Sequence, residues 1–273
     1  MNNLKFAPEG WNNEITKINK ENIDKYIRNQ ETLQGLVKEC DNNYNLHVNF
    51  ENGITGIIPR EEVDGISLQE NGLPKENLCI GKVHKFVQFK VKEELKDNIL
   101  ILSRKAVQEE ALNWVKNDLK EGQRVEGIVK NIKPYGAFIE IGGGIVGLAH
   151  IEDLSVARIK TPYERLNIGQ KVDVLVKSID RAKGKVVLSY KEVLGTWEEN
   201  VNKFTIGTVT KGIVRETEKN KNGIFIELTP NLVGMAEYEE GVEYGQEVDV
   251  YIKKIDTEKK KVKLLIMSNN TEI

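Results

Sequence analysis

Short runs in which apolar and polar residues alternate recur along the chain, punctuated by glycine, and they recur in one order three times. The middle copy reads GIVKNIKPYGAFIEIGGGIVGLAHIEDL from Gly127, then IGQKVDVLVKSID and KVVLSYK. From Gly207 the same order returns as GTVTKGIVRETEKNKNGIFIELTPNLVGMAEYEE, YGQEVDVYIKKID and KKVKLLIM. A fainter copy starts at Gly35 with GLVKECDNNYNLHVNFENGITGIIPREEV, followed by IGKVHKFVQFKV and NILILSRK. Alternation with period two, rich in β-branched residues, marks strands rather than helices. In the middle copy it predicts five, near 124–132, 137–141, 145–149, 172–179 and 185–190.

Five short strands in a module of about 70 residues predict a small closed barrel, the oligonucleotide/oligosaccharide-binding (OB) fold. Between modules the period changes. Val107, Ala111, Val115 and Leu119 recur every four residues, which predicts a linker helix. Val193 or Leu194 with Trp197 and Val201 predict a shorter one, and a further helix is expected near 21–29 with Asn19 or Asn22 as its cap. The expected fold class is therefore all-β with linker helices, three tandem five-stranded OB barrels. The divisions are an N-terminal segment 1–30, module one at 31–105, a helix at 106–120, module two at 121–191, a helix at 192–202 and module three at 203–268.

Composition narrows the function. Hydrophobic residues make up 39% of the 273, enough for several small cores, and no apolar run approaches the length that spans a bilayer. The start has no apolar core behind a basic head, so no secretory signal is read and a cytoplasmic protein is expected. Cys40, Cys79 and three histidines make neither a disulfide framework nor a plausible structural zinc set, so no metal and no cofactor are expected. The net charge of −2 argues against a uniformly basic, duplex-coating surface. Charge is uneven, however. Residues 121–191 hold 12 Lys+Arg against 8 Asp+Glu, giving +4; residues 203–268 hold 11 against 11, giving 0; residues 30–105 hold 10 against 12, giving −2.

GIVKNIKPYGAFIEIGGGIVGLAHI, with VKSID and LSYK after it, resembles the S1 RNA-binding module of ribosomal protein S1 and of several ribonucleases. FAPEGW at the start, LGTWEEN between modules and GIFIELTPNLVG in the third copy are similar to short, three-module S1-like proteins of clostridia-type bacteria. The resemblance implies an RNA-binding face on which Tyr135, Phe138 and His150 take part, joined by Asp180 and Lys185 near the last hairpin. Single strands offer a π-face on every base and a phosphate at every step, so a sequence-tolerant binder needs exposed rings among basic side chains. Lys130, Lys133, Arg158 and Arg181 are the accompanying cations expected in module two. Strict alternation would put Tyr135 and Phe138 on opposite faces, so sharing one face requires a bulge or bend at Gly136. Read alone, both rings would more often be core, His150 a surface histidine and Asp180 a turn residue.

The sister copies thin this pattern. Counting back from Gly56, Gly147 and Gly234, the ring positions are Tyr44 and His47 in the first copy and Asn222 and Phe225 in the third. Pro59 and Glu237 replace the histidine, and a carboxylate there repels phosphate; Lys219 and Lys221 offer a local basic spot nearby. GGGIVG formally matches a dinucleotide fingerprint, but strand follows strand there without a crossover helix, so it reads as a hairpin. No catalytic constellation is visible. The expected function is a non-catalytic, monomeric binder of single-stranded RNA resembling ribosomal protein S1, acting in translation at the small ribosomal subunit. The alternative is a docking scaffold on the ribosome or an RNA-decay complex, with only one active RNA-binding barrel.

Overall fold

Alternating apolar residues turn one face of each strand inward, and five such strands can bury that face only by closing on themselves. The computed structural model describes residues 6–12, 14–50, 53–217 and 223–267. In the first module β1 (Leu33–Cys40), β2 (Leu46–Asn49), β3 (Thr55–Ile58), β4 (Phe86–Glu94) and β5 (Ile99–Ser103) close in the order β1-β2-β3-β5-β4. Only β3 and β5 run parallel. Val37, Leu46, Val48, Ile58, Phe89, Leu100 and Leu102 fill its interior. Among the described residues, the α-helices α1 (Ile23–Asn29), α2 (Arg60–Val63) and α3 (Glu76–Ile80) accompany this barrel. Asn22 precedes α1 but makes no side-chain cap; it exchanges hydrogen bonds with Asn19 instead.

The predicted linker helix is α4 (Arg104–Asn117). It starts two residues early because the Ser103 hydroxyl accepts from the Ala106 amide and caps it. It ends before Leu119, which is buried all the same.

The second module consists of β6 (Arg124–Lys133), β7 (Gly136–Glu140), β8 (Val146–His150), β9 (Lys171–Asp180) and β10 (Lys185–Ser189), closed as β6-β7-β8-β10-β9. The expected second linker helix over 192–202 is broken. A 3-10 turn at Lys191–Val193 is separated from α5 (Trp197–Val201) by Gly195, whose φ of 89° is left-handed. Thr196 and Glu199 then form a capping box that restarts the helix. The third module repeats the barrel with β11 (Val209–Thr217), β12 (Ile224–Thr229), β13 (Leu232–Ala236), β14 (Glu247–Asp256) and β15 (Lys261–Ile266), in the order β11-β12-β13-β15-β14.

Contacts gather the chain into two compact units, and the strands of the middle barrel are divided between them. One unit holds residues 1–128, 139–147 and 178–186; the other holds 129–138, 148–177 and 187–273. In the first, the Glu9 carboxylate is buried among cations. It accepts from Arg104 Nε at 2.6 Å and Nη2 at 3.0 Å, and from Lys82 Nζ at 3.1 Å. Arg104 also donates to Asp64 at 3.1 Å, and the Glu9 amide donates to buried Glu140 at 2.8 Å. Burial alone would raise the Glu9 pKa, but Arg104 and Lys82 outweigh it and hold the carboxyl far below the usual range. Gly142 and Gly143 lie against Phe6, and Gly144 lies against Arg104, all three with left-handed φ. GGGIVG is thus a hairpin whose missing Cβ atoms admit the N-terminal segment.

In the second unit a loop of module two is tied to module three. The Arg215 guanidinium pairs with Glu227 and Glu164; Arg165 pairs with Glu227 at 2.6 Å, and the Tyr244 hydroxyl meets Glu164 at 3.1 Å. Arg215, Arg165 and Glu227 have buried side chains.

Candidate nucleic-acid interface

Tyr135 and Phe138 share a face for a simpler reason than a bulge. β6 ends at Lys133, Pro134 and Tyr135 form the turn, and β7 begins at Gly136, so Tyr135 lies outside the strand and escapes its alternation. Phe138 stands half-buried between buried Ala137 and Ile139. The two ring centroids are 6.1 Å apart with planes at 81°, an edge-to-face pair. His150, exposed at the end of β8, brings its ring to 6.3 Å from that of Tyr135. The approach depends on Gly136: a Cβ there would collide with the Ala149 carbonyl and crowd the His150 backbone. The Ile151 amide donates to the Tyr135 carbonyl at 2.9 Å and pins the turn. Tyr135 remains 48% exposed. Three rings, Tyr135 and His150 open to solvent and Phe138 half-buried, thus form an aromatic surface on module two.

The cations expected around it divide. Lys130 and Lys133 are exposed on the last part of β6. Arg158 is exposed too, but its guanidinium pairs with Glu216 of module three. Arg181 was expected to face RNA, yet its guanidinium donates to the carbonyls of Lys116 at 2.6 Å and Leu119 at 3.0 Å, so it caps the end of α4. Asp180 takes the turn role: its Oδ1 accepts from the Lys183 amide at 3.1 Å, with Lys185 exposed at the start of β10. Lys177 pairs with buried Asp153 at 2.7 Å.

In module one, Tyr44 carries the Arg60 guanidinium over its ring, with Cζ 4.7 Å from the centroid. His47 Nε2 lies 3.3 Å from the Asp41 carboxylate. That carboxylate also accepts from the side chain and amide of Asn45 and from the Asn43 amide, and these bonds overcome the opposing effect of burial to bring its pKa to about 2. Both ring positions of module one are therefore engaged locally. In module three, Phe225 is half-buried, in register with exposed Met235, and Glu237 is exposed. Asn222, Lys219 and Lys221 lie outside the described residues.

Among the described residues no three His, Cys, Asp or Glu are grouped to hold a metal ion, and no helix is long and apolar enough to cross a membrane. Five-stranded barrels in series, one carrying clustered rings, define a protein of the tandem OB-fold, nucleic-acid-binding class. The S1 RNA binding domain family matches residues 118–191. The small ribosomal subunit protein bS1 of Staphylococcus aureus (strain COL) is 37% identical over 198 residues, covering 66% of this chain and 50% of that protein. The bS1 protein of Rhizobium meliloti (strain 1021) is 32% identical over 250 residues, covering 80% of this chain and 44% of that protein. Among solved structures, GSP13 from Bacillus subtilis is 30% identical, with a TM-score of 0.28, over 29% of this chain and 61% of that one. Residues 118–191 thus match an S1 RNA binding domain, the chain is similar to ribosomal protein S1 proteins over most of its length, and it spans about half the length of the curated relatives it matches.

Proposed function

We propose that the protein binds single-stranded RNA without catalysing its turnover, through the ring cluster of module two, and that it acts in translation at the small ribosomal subunit. The observation that carries this reading is the cluster of Tyr135, Phe138 and His150, held together through Gly136 and open to solvent at Tyr135. Bases stack on such rings in any sequence, and the cation excess of residues 121–191 attracts the phosphates. The bS1 names of the relatives support the ribosomal setting. Tandem linkage would let weak contacts on separate barrels add, because the second contact is made at high effective concentration.

Fluorescence-anisotropy titration of labelled U-rich and A-rich oligonucleotides tests the proposal. Stacking contributes about 1–3 kcal/mol per base, so Tyr135→Ala with Phe138→Ala is expected to weaken binding roughly a hundredfold. Unchanged affinity in the double variant removes the platform. Docking as a protein scaffold would instead leave affinity for the ribosome flat with salt, where several phosphate contacts require a steep fall.

A further inference from the structure

Module three has no net charge and a thinned ring face, yet its charges are segregated. Six of its eleven basic residues, Lys253, Lys254, Lys259, Lys260, Lys261 and Lys263, fall within the hairpin of β14 and β15. Glu237, Glu239, Glu240, Glu243, Glu247 and Asp249 precede that hairpin or occupy its first residues. The sum over the module hides this separation.

Lys253, Lys254 and Lys263 line a cavity of about 470 Å³ together with Met235, Leu265 and Glu237. A register shift between Ile252 and Lys254 makes the strand bulge, so Lys253 and Lys254 both stand against Lys263, the direct partner of Lys254. Like charges directly opposite on neighbouring strands destabilise the pair. None of the three lysines is in an ion pair with a described carboxylate, whereas Lys211, on another strand of the same barrel, pairs with Glu247. The matching positions of module two are Lys177, Ser178 and Val187, with Lys177 bound to Asp153, so the cluster is peculiar to module three. Three exposed lysines at adjoining strand positions, beside exposed Met235 and Leu265, match a chain of phosphates carrying apolar base faces.

We infer that this groove is a second RNA contact, which follows the phosphodiester backbone of a single strand through Lys253, Lys254 and Lys263. It rests on separate residues from the ring cluster and does not require it. Glu237 at the rim opposes phosphate, and three lysines outweigh it.

Salt titrations with labelled poly(U) of about 30 nucleotides test the inference, a length that reaches two barrels at roughly 4–16 nucleotides each. Three phosphate contacts at ~0.7 each predict that Lys253→Ala/Lys254→Ala/Lys263→Ala reduces the slope of log affinity against log salt by about 2. The corresponding triple Lys→Arg variant is expected to retain the wild-type slope, and Glu237→Gln to raise affinity. If Tyr135→Ala/Phe138→Ala changes nothing while the triple alanine variant still loses slope, the groove stands and the platform falls. If the platform variant weakens binding and the triple alanine variant keeps the full slope, the groove proposal is overturned. Polyglutamate binding that the triple alanine variant abolishes, while that variant leaves poly(U) affinity and slope unchanged, would assign the groove to acidic protein segments and overturn the proposal too.

Discussion

Removing the Glu9 carboxylate tests how firmly the N-terminal segment is held to its unit. Glu9 and Arg104 are each only 3% exposed, and Glu9 supplies two of the charged hydrogen bonds of Arg104 and one of Lys82. It also accepts from the Gln88 amide at 3.1 Å. In Glu9→Ala the buried guanidinium loses two charged hydrogen bonds and keeps the carboxylates of Asp64 and Glu140 as its charged neighbours, and breaking one side of a buried ion pair costs about 3–5 kcal/mol. At roughly 2–4 °C per kcal/mol for a body of this size, the melting temperature of that unit is expected to fall by about 10 °C. Trp114 packs on Phe6 with centroids 5.9 Å apart, so tryptophan emission during a thermal or urea ramp follows the change. The pH dependence has a definite sign. Because the folded pKa of Glu9 is depressed, its stabilisation is fully present above the ordinary glutamate value near ~4.3 and is lost as pH falls towards the folded value. Glu9→Gln should therefore be less stable than wild type at neutral pH, with the gap narrowing in acid. A loss under ~1 kcal/mol, or a gap that does not narrow, would refute the reasoning.

Gly136→Val should push the Ala149 carbonyl and His150 away from the turn, at a cost of about 1–3 kcal/mol, and weaken RNA binding in parallel; a variant binding normally by anisotropy would detach the rings from that close approach. Arg215→Ala leaves Glu227 and Glu164 one cation short, and is expected to destabilise the second unit by about 3 kcal/mol in urea unfolding and to expose the segment around 158–165 to proteolysis. Tyr44→Ala should leave RNA affinity within about twofold, since a ring already under Arg60 contributes little of the ~1–3 kcal/mol that an open stacking ring provides.

The barrels were legible in the sequence because inward residues repeat with period two and three copies reinforce one another, as Val125, Val174 and Val186 do in module two. The ring cluster was legible only through the S1 resemblance. Alternation alone would have separated Tyr135 from Phe138, and the turn at Pro134 and Tyr135 that reunites them depends on where β6 stops. Charge counting went astray where partners decide the outcome. Arg181 reads as a free cation but caps α4, Arg158 reads the same way but pairs with Glu216, and the three-lysine groove vanishes in a module sum of zero. Glu9 gave no local signal at all: it meets Arg104 and Glu140 only through the fold, 95 and 131 residues away.

The most direct test of the central claim is chemical-shift mapping of the isotope-labelled full chain during titration with a short U-rich single strand. The account predicts the largest changes at Tyr135, Gly136, Phe138 and His150, with Tyr44 and His47 unmoved. Changes that bypass those four positions, or none at all at saturating RNA, would contradict it.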